Sequence, residues 1–464
     1  MHRIITNNFR QRYNGNGNNL PETNTGSIVE SGKYVPQNAK FLAWGIFLFF
    51  FIENGTLGLL PRQFYFIYRN VRISDLILYF LIFYSFYCSS EYIELLKNRA
   101  LLIIYILLIY LIFQFLISVI TYNQNFIEYF FRLKAVWESF LIFPFLLLLK
   151  RNGLEYLIKL ILPVAIVSNI FYILSAITGI AFLPETFVYK QELPGGLEIY
   201  RVYGGTFFGE IYFLGFIYWG IAKKFKFYQI LFIVLFATPQ ILALGRSAWV
   251  FFSFTILILI IWNTFQKKDF KTLIKQVFIF GIILVALGYT FTKILPNSED
   301  LLESLQVRVL QGQEDVKYQE GTYGSRLTNV STLVEYWLQG NIAFGVGMHP
   351  FWVIYPQTAE EGILYWGFCD LNWAPVLVAY GLVGFLIYSL FQIYYIYLTF
   401  KTVKNSREFD IYTFLVLMLL CSLLFSSFIN YSYVLFTLFI FGIPYIIGFY
   451  IAALIYKCET MIRK

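Results

Sequence analysis

The residues best suited to chemistry in this chain are three arginines and a few groups able to take up a proton. Arg201 stands in Tyr200-Arg-Val-Tyr-Gly-Gly205, Arg246 in Leu244-Gly-Arg-Ser-Ala-Trp249, and Arg326 in Gly324-Ser-Arg-Leu327. A guanidinium is planar, permanently charged and forks onto two oxygens of a phosphate. Glycines beside Arg201 and Arg246 remove the Cβ that would hold a ligand off the backbone. One arginine at the end of an apolar stretch would do no more than snorkel to lipid headgroups. Three on one face of a membrane point to an anionic, lipid-linked ligand. The acceptors for a proton are Asp370, His349 and Glu210. Glu210 follows Gly209 inside an apolar stretch, where a carboxylate is a site hypothesis by default and an ion pair with a neighbouring arginine is the plainer reading. Glu53, Asp75, Glu138 and Lys159 read as structural pairs or helix-end residues.

These groups must be positioned by membrane helices. Hydrophobic residues make up 59% of the 464 and charged residues 13%, against about one quarter charged in a soluble chain. Apolar stretches of about 20 residues, each long enough for a hydrocarbon core, recur along the sequence. Twelve spans are expected, over 41–60, 73–88, 101–120, 134–149, 157–180, 205–221, 227–244, 247–265, 273–294, 372–400, 411–428 and 433–456. The expected fold class is therefore an all-α polytopic membrane protein. Residues 1–40, with Asn14-Gly-Asn-Gly-Asn-Asn19, read as a disordered cytoplasmic tail without the apolar core of a cleavable signal. Helices 1–9 occupy 41–294, a large loop 295–371, helices 10–12 372–456, and a second cytoplasmic tail 457–464.

Lys and Arg set the orientation. Lys97 with Arg99, Lys150 with Arg151, Lys223 with Lys224 and Lys226, and Lys401 with Lys404 and Arg407 all fall on the side of the N-terminal tail. Both termini are therefore expected in the cytoplasm, with Arg62, Arg69 and Arg72 dissenting. The loop 295–371 is acidic on balance and falls outside. Ser298-Glu-Asp-Leu301 opens a helix in it with a capping serine and acids in the first turn. A second helix begins at Gly324-Ser-Arg326, carries Leu327, Val330, Val334, Trp337 and Leu338 at helical spacing, and stops at Gly340.

Several function classes fall away. The net charge of +8 reflects basic cytoplasmic loops rather than a nucleic-acid partner. Cys88, Cys369, Cys421 and Cys458 have no metal-like spacing, and only His2 and His349 exist, so no metal site or disulfide framework is expected. There is no P-loop, no Gly-x-Gly-x-x-Gly after a strand and no Asp-x-Asp pair. The two halves do not repeat, which weighs against a transporter.

Four elements resemble the superfamily of O-antigen polymerases and O-antigen ligases. They are Arg201 with Gly204-Gly205; Gly245-Arg-Ser-Ala-Trp249; Ser325-Arg326 followed by Trp337 and Phe344-Gly-Val-Gly347; and Asp370-Leu-Asn372 followed by Tyr380-Gly-Leu-Val-Gly-Phe385. Together they cover about residues 195–390. The resemblance implies a glycosyltransferase in the bacterial cytoplasmic (inner) membrane that needs no metal or other cofactor. Its donor and acceptor are undecaprenyl-pyrophosphate-linked glycans, its arginines hold the pyrophosphate, and a chain-length regulator is a possible partner alongside membrane lipid. Ligases of this family carry a histidine where Asp370 stands here, ahead of Gly381, so the resemblance leans to polymerase, with ligase or a glycolipid flippase as the rivals.

Overall fold

The computed structural model describes residues 35–53, 66–68, 71–121, 126–127, 130, 134–178, 180, 182, 188–192, 198–202, 208–223, 225–242, 246–267, 271, 278, 281, 310, 317, 331, 333–335, 337–345, 374–406, 409–428 and 445–462. The main helices are α1 (Gln37–Glu53), α2 (Ile73–Tyr87), α3 (Leu102–Thr121), α4 (Ile142–Lys150), α5 (Leu154–Thr178), α6 (Gly209–Lys223), α7 (Phe227–Leu242), α8 (Arg246–Lys267), α9 (Ala374–Asn405), α10 (Ile411–Phe428) and α11 (Tyr445–Ile462). Among the described residues, Arg99–Ile120, Leu154–Ser175, Trp249–Gln266 and Val376–Asn405 are long and apolar enough to cross a membrane. A fifth joins them if α2 and Ser89–Leu96, bent by 70° at Cys88, form one span. This is the architecture of a helical membrane protein, in which each helix satisfies its own backbone polar groups and needs no water to do so.

A helix lies in every apolar stretch of the sequence except 273–294, which falls outside the described residues apart from Phe278 and Gly281. The boundaries differ in instructive places. Helix α1 starts at Gln37, inside the expected tail, where the carbonyl of Pro36 accepts from Ala39 and Lys40. The stretch 134–149 is interrupted by a tighter turn at Ser139–Leu141. Strands also occur in the all-α chain: β1 (Phe66–Tyr68) pairs with β2 (Val71–Arg72), and β3 (Val188–Glu192) pairs with β4 (Glu198–Val202), both antiparallel.

Helix α4 packs at the centre of α1, α2 and α11. Ile142 through Leu149 are all buried, the pattern of a helix apolar on every side. It packs along α11 and against α2, and Gly448 of α11 lets Ile142 approach. At its C-terminal end Arg151 ties four segments together. The guanidinium donates to both carboxylate oxygens of Glu91, at 2.8 and 2.6 Å, to the Tyr84 hydroxyl at 3.0 Å and to the Asn38 carbonyl at 3.4 Å. A cation is favoured at a helix C-terminus, and the fork fits a carboxylate. Nearby, Lys457 of α11 meets Asp410 at 2.6 Å, while Asp410 caps α10 by accepting from the Thr413 N–H at 2.7 Å.

The hydrogen bond from Arg151 holds the Glu91 carboxyl below its usual 4.5. A carboxylate whose folded value is depressed stabilises the fold above its unfolded value, and that stabilisation is lost as pH falls through the folded one. Glu91→Gln should therefore lower the thermal midpoint at pH 7, with a destabilisation of about 2 kcal/mol for a charged hydrogen-bonded pair with one exposed partner. The difference from the parent protein should shrink on acidification from pH 5 toward pH 3. A constant difference across that range would show that the pair does not hold these helices.

Candidate functional site

The end of the bundle opposite Arg151 carries a belt of aromatic rings. Phe115 of α3 meets Phe126 and Trp137, Phe130 meets Trp137 and Tyr79 of α2, and Phe50 of α1 meets Phe208 and Tyr445. At the same end Arg72 pairs with Glu53 at 3.3 Å, and the Asp75 carboxylate accepts from the Arg72 N–H at 2.7 Å.

In this belt helix α9 is broken. Gly381 has φ 63° and ψ −170° inside an otherwise regular helix, a conformation that L side chains rarely adopt. The break frees the N–H groups of Leu382 and Val383 from their places in the helix. They donate instead to the carbonyls of Ile342 and Ala343, at 2.9 and 3.0 Å. These carbonyls belong to a turn, Asn341–Gly345, that follows the second loop helix. The described residues of that helix (331, 333–335 and 337–339) are helical and Gly340 ends it, as its sequence predicts. The turn is closed by the Asn341 side chain, which accepts from the Phe344 N–H at 3.1 Å, and by the Trp337 indole, which donates to Ile342 at 3.0 Å. Gly345 also has a positive φ, of 69°. A Cβ on Gly345 would strike the backbone of Ala379 and Gly381, and one on Gly381 would strike Ala343 and Gly345.

Helix α3 completes the joint. The Tyr110 hydroxyl donates to the Tyr380 carbonyl at 2.6 Å, and Gln114 Nε2 donates to the Tyr110 hydroxyl at 2.7 Å and to the Phe344 carbonyl at 3.0 Å. Gln114 is fully buried, and its Oε1 has no hydrogen-bond partner among the described residues. An unmatched buried acceptor in so apolar a place is costly. Sequence reading passed over Tyr110 and Gln114. The available signal was a Tyr–Gln pair at i, i+4 inside a stretch of Leu and Ile, because polar side chains within a span seldom lack a task.

The sequence-derived site residues divide. Arg201 lies in β4, opposite Tyr189, rather than in a plain loop before α6. The signal for that hairpin was Pro194-Gly-Gly196 between two segments rich in β-branched and aromatic residues. Strand β4 lies against α5, and the hairpin leads into α6. Arg246, expected in the short turn between the spans 227–244 and 247–265, is instead the first residue of α8. Helix polarity disfavours a cation there and favours an anion beside it. Glu210 lies in the first turn of α6, a favoured place for an acid, half-buried and close enough to Tyr450 of α11 for their charges to interact. Because α6, α7 and α8 follow one another through short connections and pack side by side, Glu210 and Arg246 share one end of the bundle. Arg326, His349 and Asp370 lie outside the described residues, as does most of 295–371. Two of the glycine motifs, Phe344-Gly345 and Tyr380-Gly381, are brought together. No family model and no curated protein matches the chain.

Gly381→Ala and Gly345→Ala should each destabilise the protein by about 1–3 kcal/mol, the usual cost of a side chain held at positive φ, and expose the 341–345 turn to protease. Gly281→Ala is the control, since a Cβ there would meet nothing. Equal thermal midpoints for all three variants would rule out the joint.

Proposed function

We propose that the protein is a polymerase of lipid-linked glycans, acting on the extracytoplasmic face of a bacterial cytoplasmic membrane. The observation that carries the reading is the joint between Gly345 and Gly381. Two motifs quoted for the resemblance, far apart in sequence, meet backbone to backbone, and they flank the chain that bears His349 and Asp370. Further support comes from Arg246 at a helix N-terminus and Glu210 at the same end. The whole chain is proposed to cross the membrane twelve times with both termini in the cytoplasm, and 295–371 to lie outside.

The proposed reaction needs little beyond charge. A hydroxyl of the acceptor glycan attacks the anomeric carbon of the donor, the new glycosidic C–O bond forms, and the C–O bond to pyrophosphate breaks. The hydroxyl proton passes to Asp370, with His349 and then Glu210 as the other bases. Undecaprenyl pyrophosphate leaves with the bonding electrons, and Arg201, Arg246 and Arg326 neutralise its developing charge, as preorganised cations do in a site shielded from water. Asp370 in the place where resembling ligases have histidine supports polymerase over ligase.

Arg201→Ala, Arg246→Ala and Arg326→Ala should each abolish long polysaccharide in cells while the protein remains inserted and abundant. Lysine at these positions should rescue poorly, because a point charge lacks the planar fork. Normal polymer in all three alanine variants would leave only interfacial anchoring for these residues. The topology has a separate check. A cysteine at Gln313, with Cys369 replaced by serine, should react with a membrane-impermeant thiol reagent in intact cells whose outer barrier is permeabilised. Labelling only after lysis would place the loop on the wrong side.

A further inference from the structure

Away from the joint, helices α3 and α9 leave between them an open groove of about 370 Å³, lined by Ile103, Ile106, Ile387, Leu390, Ile393 and the rings of Tyr394 and Tyr397. Its floor is fixed, because the Tyr395 hydroxyl donates to the Ala100 carbonyl at 2.6 Å. The volume falls in the range of small-molecule sites, and apart from two phenol groups its walls are hydrocarbon.

Both walls turn from apolar to cationic at the same end. On α9, Leu390, Ile393, Tyr397, Lys401 and Lys404 follow at helical spacing along one exposed stripe. On the opposite wall, exposed Arg99 stands one turn before Ile103, which is followed by Ile106. Arg99 is close enough to Tyr394 for its charge to act on the phenol. Arg99, Lys401 and Lys404 enter no ion pair, and the Tyr394 and Tyr397 hydroxyls no hydrogen bond, among the described residues. At the same membrane level other cations are taken up, Arg151 by Glu91 and Lys457 by Asp410. A hydrocarbon channel ending in three cations that enter no ion pair among the described residues and two hydroxyl donors, with the Glu459 carboxylate taken up by the Asn98 amide at 3.4 Å, matches an acyl chain joined to a phosphate.

We infer that this groove is a binding site for an anionic phospholipid, its acyl chain lying between α3 and α9 and its phosphate held by Arg99, Lys401 and the tyrosine hydroxyls, with Lys404 at the rim. Basic pockets between membrane helices hold anionic headgroups in this way. The site is separate from the glycan chemistry and does not depend on it. An anchored lipid would brace the half of α9 that continues from the Gly381 break.

Native mass spectrometry of the full chain tests this, after equilibration with equal amounts of phosphatidylglycerol and phosphatidylcholine carrying the same acyl chains. One phosphatidylglycerol should be retained in preference to phosphatidylcholine. Arg99→Gln and Lys401→Gln should each lower that retention about fivefold, while Lys226→Gln, which removes a charge at the start of α7, should not. Leu390→Trp fills the groove and should abolish retention with every cation in place. The two charge variants alter only exposed side chains, so they decide the matter even if Leu390→Trp folds poorly. Equal retention of the two lipids, equal effects of the three charge variants, or a dimer mass that phosphatidylglycerol does not displace would each overturn the site.

Discussion

One exchange of backbone hydrogen bonds organises the structure. In an apolar medium an unsatisfied backbone N–H costs several kcal/mol, so a helix breaks only where something replaces its lost partners. At Gly381 the replacement comes from Ile342 and Ala343, far back along the chain. The break in α9 and the docking of the loop's helical arm therefore share the same hydrogen bonds. Tyr110 and Gln114 brace the joint from α3, and the lack of a side chain at Gly345 and Gly381 lets the two backbones meet.

The two ends of the bundle divide the remaining polar chemistry. Around Arg151 and Lys457 the charges are paired and lock helices together, a structural use of charge, while Arg99, Lys401 and Lys404 at the same end enter no ion pair among the described residues. At the aromatic end Arg72, the N-cap of α2, is paired with Glu53 in the same structural manner, and Arg246 opens α8.

The helices were legible in the sequence because hydrocarbon demands long apolar runs, and nearly every run matches a helix. Gly340 as a helix stop, and Glu53 and Asp75 as structural partners, were legible for equally local reasons. The break in α9 was not. Tyr380-Gly-Leu-Val-Gly384 reads as one apolar span, because a freed N–H leaves no trace in hydropathy when its new partner is dozens of residues away. The β3–β4 hairpin escaped for another reason: hydropathy looks for membrane spans, and the strands are too short and too polar to register. Arg246 was displaced by one position, from turn to helix, since helix ends are set by hydrogen bonds rather than by composition. Of the joint itself, the glycines were visible as motifs, while Tyr110 and Gln114 were hidden among their aliphatic neighbours.

Elongation in a defined system tests the central claim most directly. The purified protein would be reconstituted into liposomes with undecaprenyl-pyrophosphate-linked repeat units of the host glycan, in the presence of a chelator and without nucleotide sugars. The account predicts a ladder of lipid-linked oligomers growing by whole repeat units, with one undecaprenyl pyrophosphate released for each linkage formed. Unchanged single repeat units, or their movement across the bilayer without any new glycosidic bond, would contradict it.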